Sequence, residues 1–313
     1  MKRLIALILS LSVLALLHGC GEPSDNGSSD VPTVSSETQS TQGTPSTSDT
    51  VSRLTGKELY MEELKNNDIF KQYDESDWRS HAYDYKLVAL TFDDGPAYKD
   101  VDGENNIVVR IVETLLQNDG RGTFFFTGRS LAKNGFAVPQ YALNNGFELA
   151  NHSYNHASLK EADYETAVFE IVGVNDLYYE NLEMTPTFFR GGGFTTGTNM
   201  WKVLAEQDMI AIASLRGGNG DHSGGSATVE SLVDRLSPDK VSDGEIVCLH
   251  STNTKGVTPD ALAIVLPQLY EQGFRFCTVS ELFAFKGVDL NEVPRGEYIK
   301  KVVITENGLI DFN

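Results

Sequence analysis

Basic residues are scarce in this chain of 313 residues. Lys and Arg number 25 against 44 Asp and Glu, which gives a formal net charge of −19 at pH 7. Nucleic-acid binding depends on clustered Lys and Arg that neutralise phosphates, and the sequence contains no such cluster, which argues against a nucleic-acid partner. A hydrophobic content of 40% and an aromatic content of 10% are nevertheless sufficient for a globular core.

Cysteines are also few, since the chain has only three. Cys248 and Cys277 both lie in apolar, strand-like runs, "EIVCLH" and "FRFCTV". Two buried free thiols are the favoured interpretation. A disulfide between them is the alternative, which an extracytoplasmic location permits.

The apolar run near the N-terminus is too short to span a bilayer comfortably as a permanent helix. It covers the fourteen residues 4–17 and follows Lys2 and Arg3, a pattern typical of an export signal. The run ends in "LLHGC", which resembles a bacterial lipoprotein cleavage box with Cys20 as the lipidated residue. We therefore expect residues 1–20 to be a lipoprotein signal peptide, with the protein exported and anchored through lipid on Cys20 to the outer face of the bacterial cytoplasmic membrane. Plain secretion with an incidental cysteine is the alternative.

Composition divides the rest of the chain into four parts. Residues 21–50 contain no aromatic, Lys or Arg and are rich in Ser and Thr, which predicts a disordered tether of about 30 to 40 Å reach. Residues 51–84 carry Trp78 and several tyrosines, which predicts an ordered lead-in packed on the main domain. Residues 85–285 form that domain. In the extension 286–313, Asn307-Gly308 between apolar runs is a hairpin signal.

Strand-like and helix-like segments alternate through the main domain. Strand candidates begin with "KLVALTF", and helical patterns cover roughly 104–118, 129–145, 161–181, 198–207, 227–236 and 259–272. Such alternation predicts a parallel sheet covered by helices. About seven repeats favour a closed barrel, with an open doubly wound sheet as the alternative. No GxGxxG or GKS-type loop follows the first strand, which argues against nucleotide binding.

Polar side chains collect where the predicted strands end. In parallel sheets the chemistry gathers beyond the carboxyl ends of the strands, so these side chains are expected to converge. They are Asp93, Asp94, His152, His156, Arg190 and His250.

The histidine pair and the aspartate pair together predict a metal site. His152 and His156 are four residues apart, and two imidazoles plus one carboxylate form a common three-ligand set that leaves a position for water. One of the two aspartates would then bind the metal. The other would accept a proton from the water, whose pKa Zn²⁺ lowers to about 7. The alternatives are capping or surface histidines and an Asp-Gly turn.

Two further residues fit the same chemistry. Arg190 ends the strand candidate "TPTFFR" and would pair with the proton-accepting aspartate to keep it ionised, unless it is a guanidinium on the surface of the rim. His250 ends "EIVCLH" and is a candidate general acid for a leaving amine, with a satisfied core histidine as the alternative.

Four segments resemble the motifs of one family. "TFDDGP", "NHSYNH", "FFRGGG" and "IVCLH" are similar to those of NodB-like polysaccharide deacetylases, carbohydrate esterase family 4, over about residues 85–285. The resemblance implies a distorted (β/α) barrel of seven or eight strands. It also implies an enzyme that removes N-acetyl or O-acetyl groups from glycans with a divalent metal, most often Zn²⁺, with Co²⁺, Ni²⁺ or Fe²⁺ as other choices.

Carried over by matching position, the resemblance also implies individual roles. Asp93 would be the catalytic base, held by Arg190, and His250 the general acid. The metal ligands would be Asp94, His152 and His156. The oxyanion would be held by the metal and by the backbone N–H just after Arg190.

The sequence departs from the family pattern at two places. Gly191, Gly192 and Gly193 follow Arg190, where the family has prolines and an aromatic residue. Arg216 occupies the position at which an aspartate is expected to orient the acid histidine, with Asp221 or, less well placed, His222 as replacements. A glycan-binding lipoprotein that keeps the barrel and metal without turnover is therefore the alternative function.

The leading expectation is a deacetylase of an extracellular N-acetylated polysaccharide. Peptidoglycan is the first choice of substrate because of the lipid tether, followed by an exopolysaccharide, then chitin or acetyl-xylan. A metal-dependent phosphohydrolase is disfavoured because no Lys lies near the predicted site. Nothing in the sequence specifies an oligomeric state.

Overall fold

The computed structural model describes residues 54–102, 105–252 and 255–313. The predicted signal peptide, with Cys20, and the predicted tether lie outside these ranges. Within them, none of the helices combines the length and the apolar character that crossing a membrane requires.

Seven parallel strands form one curled sheet. The strands are β1 Lys86–Asp93, β2 Thr123–Phe126, β3 Glu148–Asn151, β4 Phe188–Phe189, β5 Ile210–Ala211, β6 Glu245–His250 and β7 Phe274–Cys277. Six of them lie in the order β5-β4-β3-β2-β1-β6. The seventh, β7, pairs with the first half of β1, on the same side of β1 as β2, which pairs with the second half. The expected distorted (β/α) barrel of seven or eight strands is confirmed.

Helices follow the strands, as the alternation predicted. They are α1 Gly56–Lys65, α2 Ile107–Gln117, α3 Gly128–Asn134, α4 Ala137–Asn144, α5 Tyr164–Leu182, α6 Thr198–Glu206, α7 Val229–Arg235, α8 Val257–Glu271 and α9 Val279–Phe285. Short 3-10 helices cover Asp68–Gln72, Trp78–Asp84, Gly192–Phe194 and Leu290–Glu292.

One helix prediction is wrong. The continuous pattern over 129–145 belongs to two helices, α3 and α4, which Gly135 and Phe136 separate. Gly135 ends α3 with φ of 77°, a backbone conformation that glycine adopts readily and other residues seldom do. The apolar spacing continues across this break, so the pattern alone did not reveal it.

The two faces of β1 belong to two different cores. Val88, Leu90 and Phe92 pack with the outer helices, chiefly α2 and α8. Leu87 and Ala89 point to the other face, inside the curl of the sheet, where they join the second cluster. Because strand side chains alternate between faces, Asp93 shares the inner face with Leu87 and Ala89.

The lead-in before β1 packs on the inner cluster. Leu64, Phe70 and Trp78 are buried in it. Phe285 of α9 stacks against Phe70 at a centroid distance of 6.1 Å and meets Trp78 edge-on at 5.8 Å. These aromatic side chains cover the amino end of the sheet, whereas the predicted site lies at the carboxyl ends of the strands.

The C-terminal extension fills the gap between β5 and β6, the two ends of the sheet. Ile299 pairs with the chain just beyond β5, since its N–H donates to Ala211 O at 2.9 Å and its carbonyl accepts from Ala213 N at 2.8 Å. On the other side, Ile246 N donates to Lys300 O at 3.2 Å. The extension continues into an antiparallel pair, β8 Val303–Ile304 and β9 Ile310–Asp311, joined through Asn307-Gly308.

Candidate active site and metal centre

The strand register brings the predicted polar residues to one rim of the sheet. Asp93, the last residue of β1, lies opposite Phe125 of β2 and His250 of β6. Asn151 at the end of β3 lies opposite Phe189 of β4, so the residues that follow them emerge side by side. All six line one cavity of about 460 Å³: Asp93, Asp94, His152, His156, Arg190 and His250.

Asp93 is a buried carboxylate held by Arg190. Arg190 Nη1 donates to Asp93 Oδ1 at 2.6 Å, and both side chains are almost completely buried. Burial alone would raise the pKa of Asp93, but the positive charge of Arg190, with a smaller contribution from His152, lowers it below its ordinary value. Asp93 is therefore an ionised carboxylate whose second oxygen, Oδ2, remains on the cavity side.

Arg190 is fixed on all sides, which explains how a fully buried cation is tolerated. Its Nε donates to Ile212 O at 3.1 Å and its Nη2 to Ala213 O at 3.3 Å. Nη1 also donates to Thr91 Oγ1 at 2.8 Å, and the guanidinium lies 4.1 Å from the Phe125 ring centroid. Carbonyls beyond β5 thus hold the arginine that holds the carboxylate.

Asp94, His152 and His156 form a ligand set suited to one divalent cation. One potential ligand atom from each residue lies within 4.8 Å of the others. Asp94 Oδ1 is 3.4 Å from His152 Nε2 and 3.5 Å from His156 Nε2. Two imidazoles and one carboxylate are the donors of an open zinc-type site, so the residues present fit the metal that the sequence predicts.

Contacts with residues outside the ligand set fix the orientation and the protonation state of the ligands. His152 Nδ1–H donates to the Arg190 carbonyl at 2.7 Å, which leaves the Nε2 lone pair free for a cation. Burial raises the pKa of Asp94, but His152, with smaller contributions from His250 and His156, lowers it to about 2. For His156, burial and the nearby His152 both lower the pKa, which favours the neutral ligating form.

The ligand loops have unusual backbone conformations. Asp94, Ser153 and His156 have φ of 77°, 57° and 60°, in the left-handed region that non-glycine residues seldom adopt. Strain of this kind persists where surrounding contacts over-determine the chain. A Cβ on Gly192 would lie 2.7 Å from the His156 carbonyl, so glycine is required for this close approach.

His250 is oriented by Asp221, the carboxylate that the alignment with the family left uncertain. Asp221 is fully buried, and its Oδ1 accepts from His250 Nδ1–H at 2.9 Å. Its Oδ2 accepts from the His250 backbone N–H at 2.9 Å and from Thr258 Oγ1 at 2.7 Å. Burial opposes protonation of His250, but the hydrogen bond and charge of Asp221 outweigh it and raise the pKa of the imidazole. The Nε2 atom is then left to face the cavity.

Neither of the other two candidates for this role bonds the His250 ring. Arg216 Nε donates to the buried carboxylate of Glu245 at 2.7 Å. His222 is exposed, and its ring centroid lies 5.4 Å from that of His250. Asp221 is therefore the carboxylate bonded to the His250 ring, and it stands five positions later in the chain than Arg216.

The glycine segment after Arg190 is buttressed by Tyr298 of the C-terminal extension, which the sequence analysis did not single out. Gly191 N–H donates to the Tyr298 hydroxyl at 3.2 Å, and that hydroxyl donates to Thr195 O at 3.1 Å. The N–H just after Arg190, predicted to hold an oxyanion, is therefore already engaged. In the described part of the chain, the N–H of Gly193, which lines the cavity, has no hydrogen-bond partner.

Both cysteines of the domain are free and buried, but only one of them lies in the site. Cys248 lines the cavity, and its Sγ donates to Asp93 Oδ2 at 3.4 Å. Cys277 contacts Val88 O in the body of the sheet. The strand pattern predicted burial for both and gave no signal that one touches the predicted base.

One cavity on the curled parallel sheet is thus lined by an arginine-held carboxylate, a carboxylate beside two imidazoles, and an imidazole bonded to a further carboxylate. Single-metal hydrolase sites are built from groups of these kinds. The family model for polysaccharide deacetylases matches residues 80–212. A peptidoglycan-N-acetylglucosamine deacetylase from Bacillus cereus is 31% identical over 203 residues, which cover 64% of this chain and 90% of the relative.

Solved structures agree with these sequence matches. A family 4 acetyl xylan esterase from Clostridium thermocellum, in complex with a cobalt ion, superposes with a TM-score of 0.57 at 29% identity, over 66% of this chain and 94% of that one. The carbohydrate esterase family 4 domain of a multidomain xylanase from the hindgut metagenome of Trinervitermes trinervoides gives a TM-score of 0.60 at 27% identity, over 72% and 100%. The chain belongs to the polysaccharide deacetylase family, carbohydrate esterase family 4.

Proposed function

We propose that this protein is a divalent-metal-dependent deacetylase that removes N-acetyl groups from an extracellular polysaccharide, with peptidoglycan as the first candidate. One observation carries the proposal: a three-ligand cation site, Asp94, His152 and His156, lies beside the Arg190-held Asp93 in the cavity that His250 also lines. Family membership and the name of the Bacillus cereus relative support the reaction class and the substrate.

A cation held by Asp94, His152 and His156 would polarise the acetyl carbonyl and make a water molecule more acidic. Asp93 would take the proton of the attacking water on Oδ2, because Oδ1 is bonded to Arg190. The lowered pKa of Asp93 keeps it in the ionised form that can accept this proton.

His250 would deliver a proton from Nε2 to the departing nitrogen, so that acetate and a free amino sugar are the products. Asp221 holds the ring in the tautomer that this transfer needs and raises the pKa of the imidazole. The Gly193 N–H, not the engaged N–H of Gly191, is the backbone donor available to the developing oxyanion.

The alternative of a metal-retaining glycan-binding protein without turnover loses its main support. That alternative depends on Arg216 standing in the place of the orienting aspartate, and the hydrogen bond between His250 Nδ1 and Asp221 supports an active enzyme instead. The acid histidine therefore has the carboxylate that turnover requires.

Lipid on Cys20 and the Ser- and Thr-rich segment 21–50 would place the domain within reach of the cell wall, on the outer face of the cytoplasmic membrane. This part of the proposal rests on the sequence features of residues 1–50. Globomycin-sensitive processing and labelling by a palmitate analogue, both abolished by Cys20→Ser, would test it.

The activity is tested by acetate release from peptidoglycan, N-acetylglucosamine oligomers and acetyl-xylan. We expect release from the first two, loss of release in Asp93→Asn, and full release in Asp176→Asn, which changes an exposed aspartate on α5. A chelator should abolish release and added Zn²⁺ or Co²⁺ restore it. Release that survives complete removal of metal would contradict the mechanism, and release from acetyl-xylan alone would contradict the substrate.

A further inference from the structure

A second group of metal-binding side chains lies in the same cavity and is not used as a cation site in the proposed mechanism. It consists of Asp93, Cys248 and His250, and one potential ligand atom from each lies within 4.8 Å of the others. All three residues line the cavity. The group shares no residue with Asp94, His152 and His156.

The bonds to Arg190 and Asp221 leave one potential ligand atom on Asp93 and one on His250, and Asp93 Oδ2 also lies 3.6 Å from His152 Nε2. Asp93 Oδ1 is bonded to Arg190, so Oδ2 faces Cys248, whose Sγ lies 3.4 Å away. His250 Nδ1 is bonded to Asp221, so Nε2 is the ring nitrogen that remains. Arg190 and Asp221 thus act as the outer supports that an oriented metal site needs.

The donor set selects a thiophilic cation. One thiolate, one imidazole and one carboxylate suit Zn²⁺ and softer ions of the same charge, whereas Mg²⁺ and Ca²⁺ prefer oxygen ligands alone. Binding would form a metal–sulfur bond and release the Cys248 thiol proton to solvent. No oxidant or other reactant is needed.

We propose that Asp93, Cys248 and His250 form an inhibitory site for a thiophilic divalent cation, such as excess Zn²⁺ or Cd²⁺, separate from the Asp94–His152–His156 site. A cation there occupies Asp93 Oδ2 and His250 Nε2, the atoms assigned above to the base and the acid. Its inhibitory effect rests on the proposed function, but its binding does not.

Cadmium provides a direct spectroscopic test, because a cadmium–thiolate bond gives an ultraviolet charge-transfer band and a site of oxygen and nitrogen ligands does not. The protein is the full chain carrying Cys20→Ser in every variant, loaded with one equivalent of Zn²⁺ and titrated with Cd²⁺. We expect a saturable band with a stoichiometry of one ion. Cys248→Ala should abolish it, and Cys277→Ala, the matched change at the other buried thiol, should leave it intact.

A second variant keeps the test decisive if Cys248→Ala folds poorly. His250→Gln retains the thiol but removes one of three ligands, so it should weaken cadmium binding, followed by the same band, by about tenfold or more. An unchanged band in folded Cys248→Ala, or unchanged cadmium affinity in His250→Gln, would overturn the proposed site.

Inhibition of acetate release is measured in parallel, with each protein compared with its own rate before cadmium is added. We expect inhibition to follow the band in the parent protein and to be at least tenfold weaker in Cys248→Ala. Inhibition of equal strength in both proteins would refute the inhibitory role. If no glycan is deacetylated, the band still decides the binding site, so a failure of the proposed function would be recognised separately.

Discussion

Asp221→Asn removes the negative charge beside His250 while nearly preserving the shape of the side chain. The closest atoms of the pair are 2.9 Å apart and both groups are largely buried. Unit charges about 4 Å apart interact by about 4 kcal/mol at an effective dielectric constant of about 20.

The direction of the effect follows from the proposed role of His250 as an acid. In that role its protonated form is the active one, so the rate would fall as the pH rises through the pKa of the imidazole. That pKa is raised by Asp221 in the native protein. We therefore expect the alkaline limb of the kcat/KM profile to move toward acid in Asp221→Asn.

The maximal rate should fall as well. Asp221 accepts hydrogen bonds from His250 Nδ1–H, the His250 backbone N–H and Thr258 Oγ1. The asparagine amide would turn its own N–H groups toward at least one of these three donors. Misorientation of the acid should reduce kcat by about 10²-fold or more, with little change in KM. The assay is acetate release against pH at saturating metal.

A matched variant distinguishes Asp221 from its neighbour in the chain. His222→Gln changes an exposed ring near His250 and should leave the alkaline limb in its native position. An alkaline limb that stays in place in Asp221→Asn, or one that moves equally in His222→Gln, would refute the assignment of Asp221 as the orienting residue.

Three further perturbations test the rest of the site. Asp94→Asn should reduce bound metal after dialysis to a small fraction of one ion per chain, by elemental analysis; full retention would exclude Asp94 as a ligand. Arg190→Met should lower the free energy of unfolding of the metal-free protein by about 3 to 5 kcal/mol in urea, because Asp93 is left buried and unpaired. The double variant with Asp93→Leu should recover part of this loss, and no recovery would mean that the charge is not the cause. Tyr298→Phe should lower the free energy of unfolding by about 1 to 2 kcal/mol in the same assay, because the glycine segment loses a hydrogen bond at each end. It should also lower kcat more than it raises KM. Unchanged kinetics would show that the extension does not support the site.

The candidate site was largely predictable because its residues terminate strands. In a parallel sheet the carboxyl ends meet at one rim, so the position in the chain of Asp93, His152, Arg190 and His250 also predicts their position in space. The structure brings them together around one cavity. The assignment of individual roles among them remains a prediction that the experiments above address.

The helix boundaries were less predictable where two helices follow each other. The apolar pattern over 129–145 continues across the break at Gly135, because α3 and α4 both present apolar residues to the same sheet. A periodic pattern reports which residues are buried, and it does not report a change in the direction of the chain.

By itself, the sequence determined the parallel fold, the family, and the strand-end residues, because each depends on local pattern and on short motifs. Only the tertiary structure decided contacts between segments distant in the chain. Asp221 lies 29 residues from His250, Tyr298 lies 107 residues from Gly191, and Cys248 lies 155 residues from Asp93. No periodicity records such pairs, because they follow from the curl of the sheet and from the extension that fills its gap.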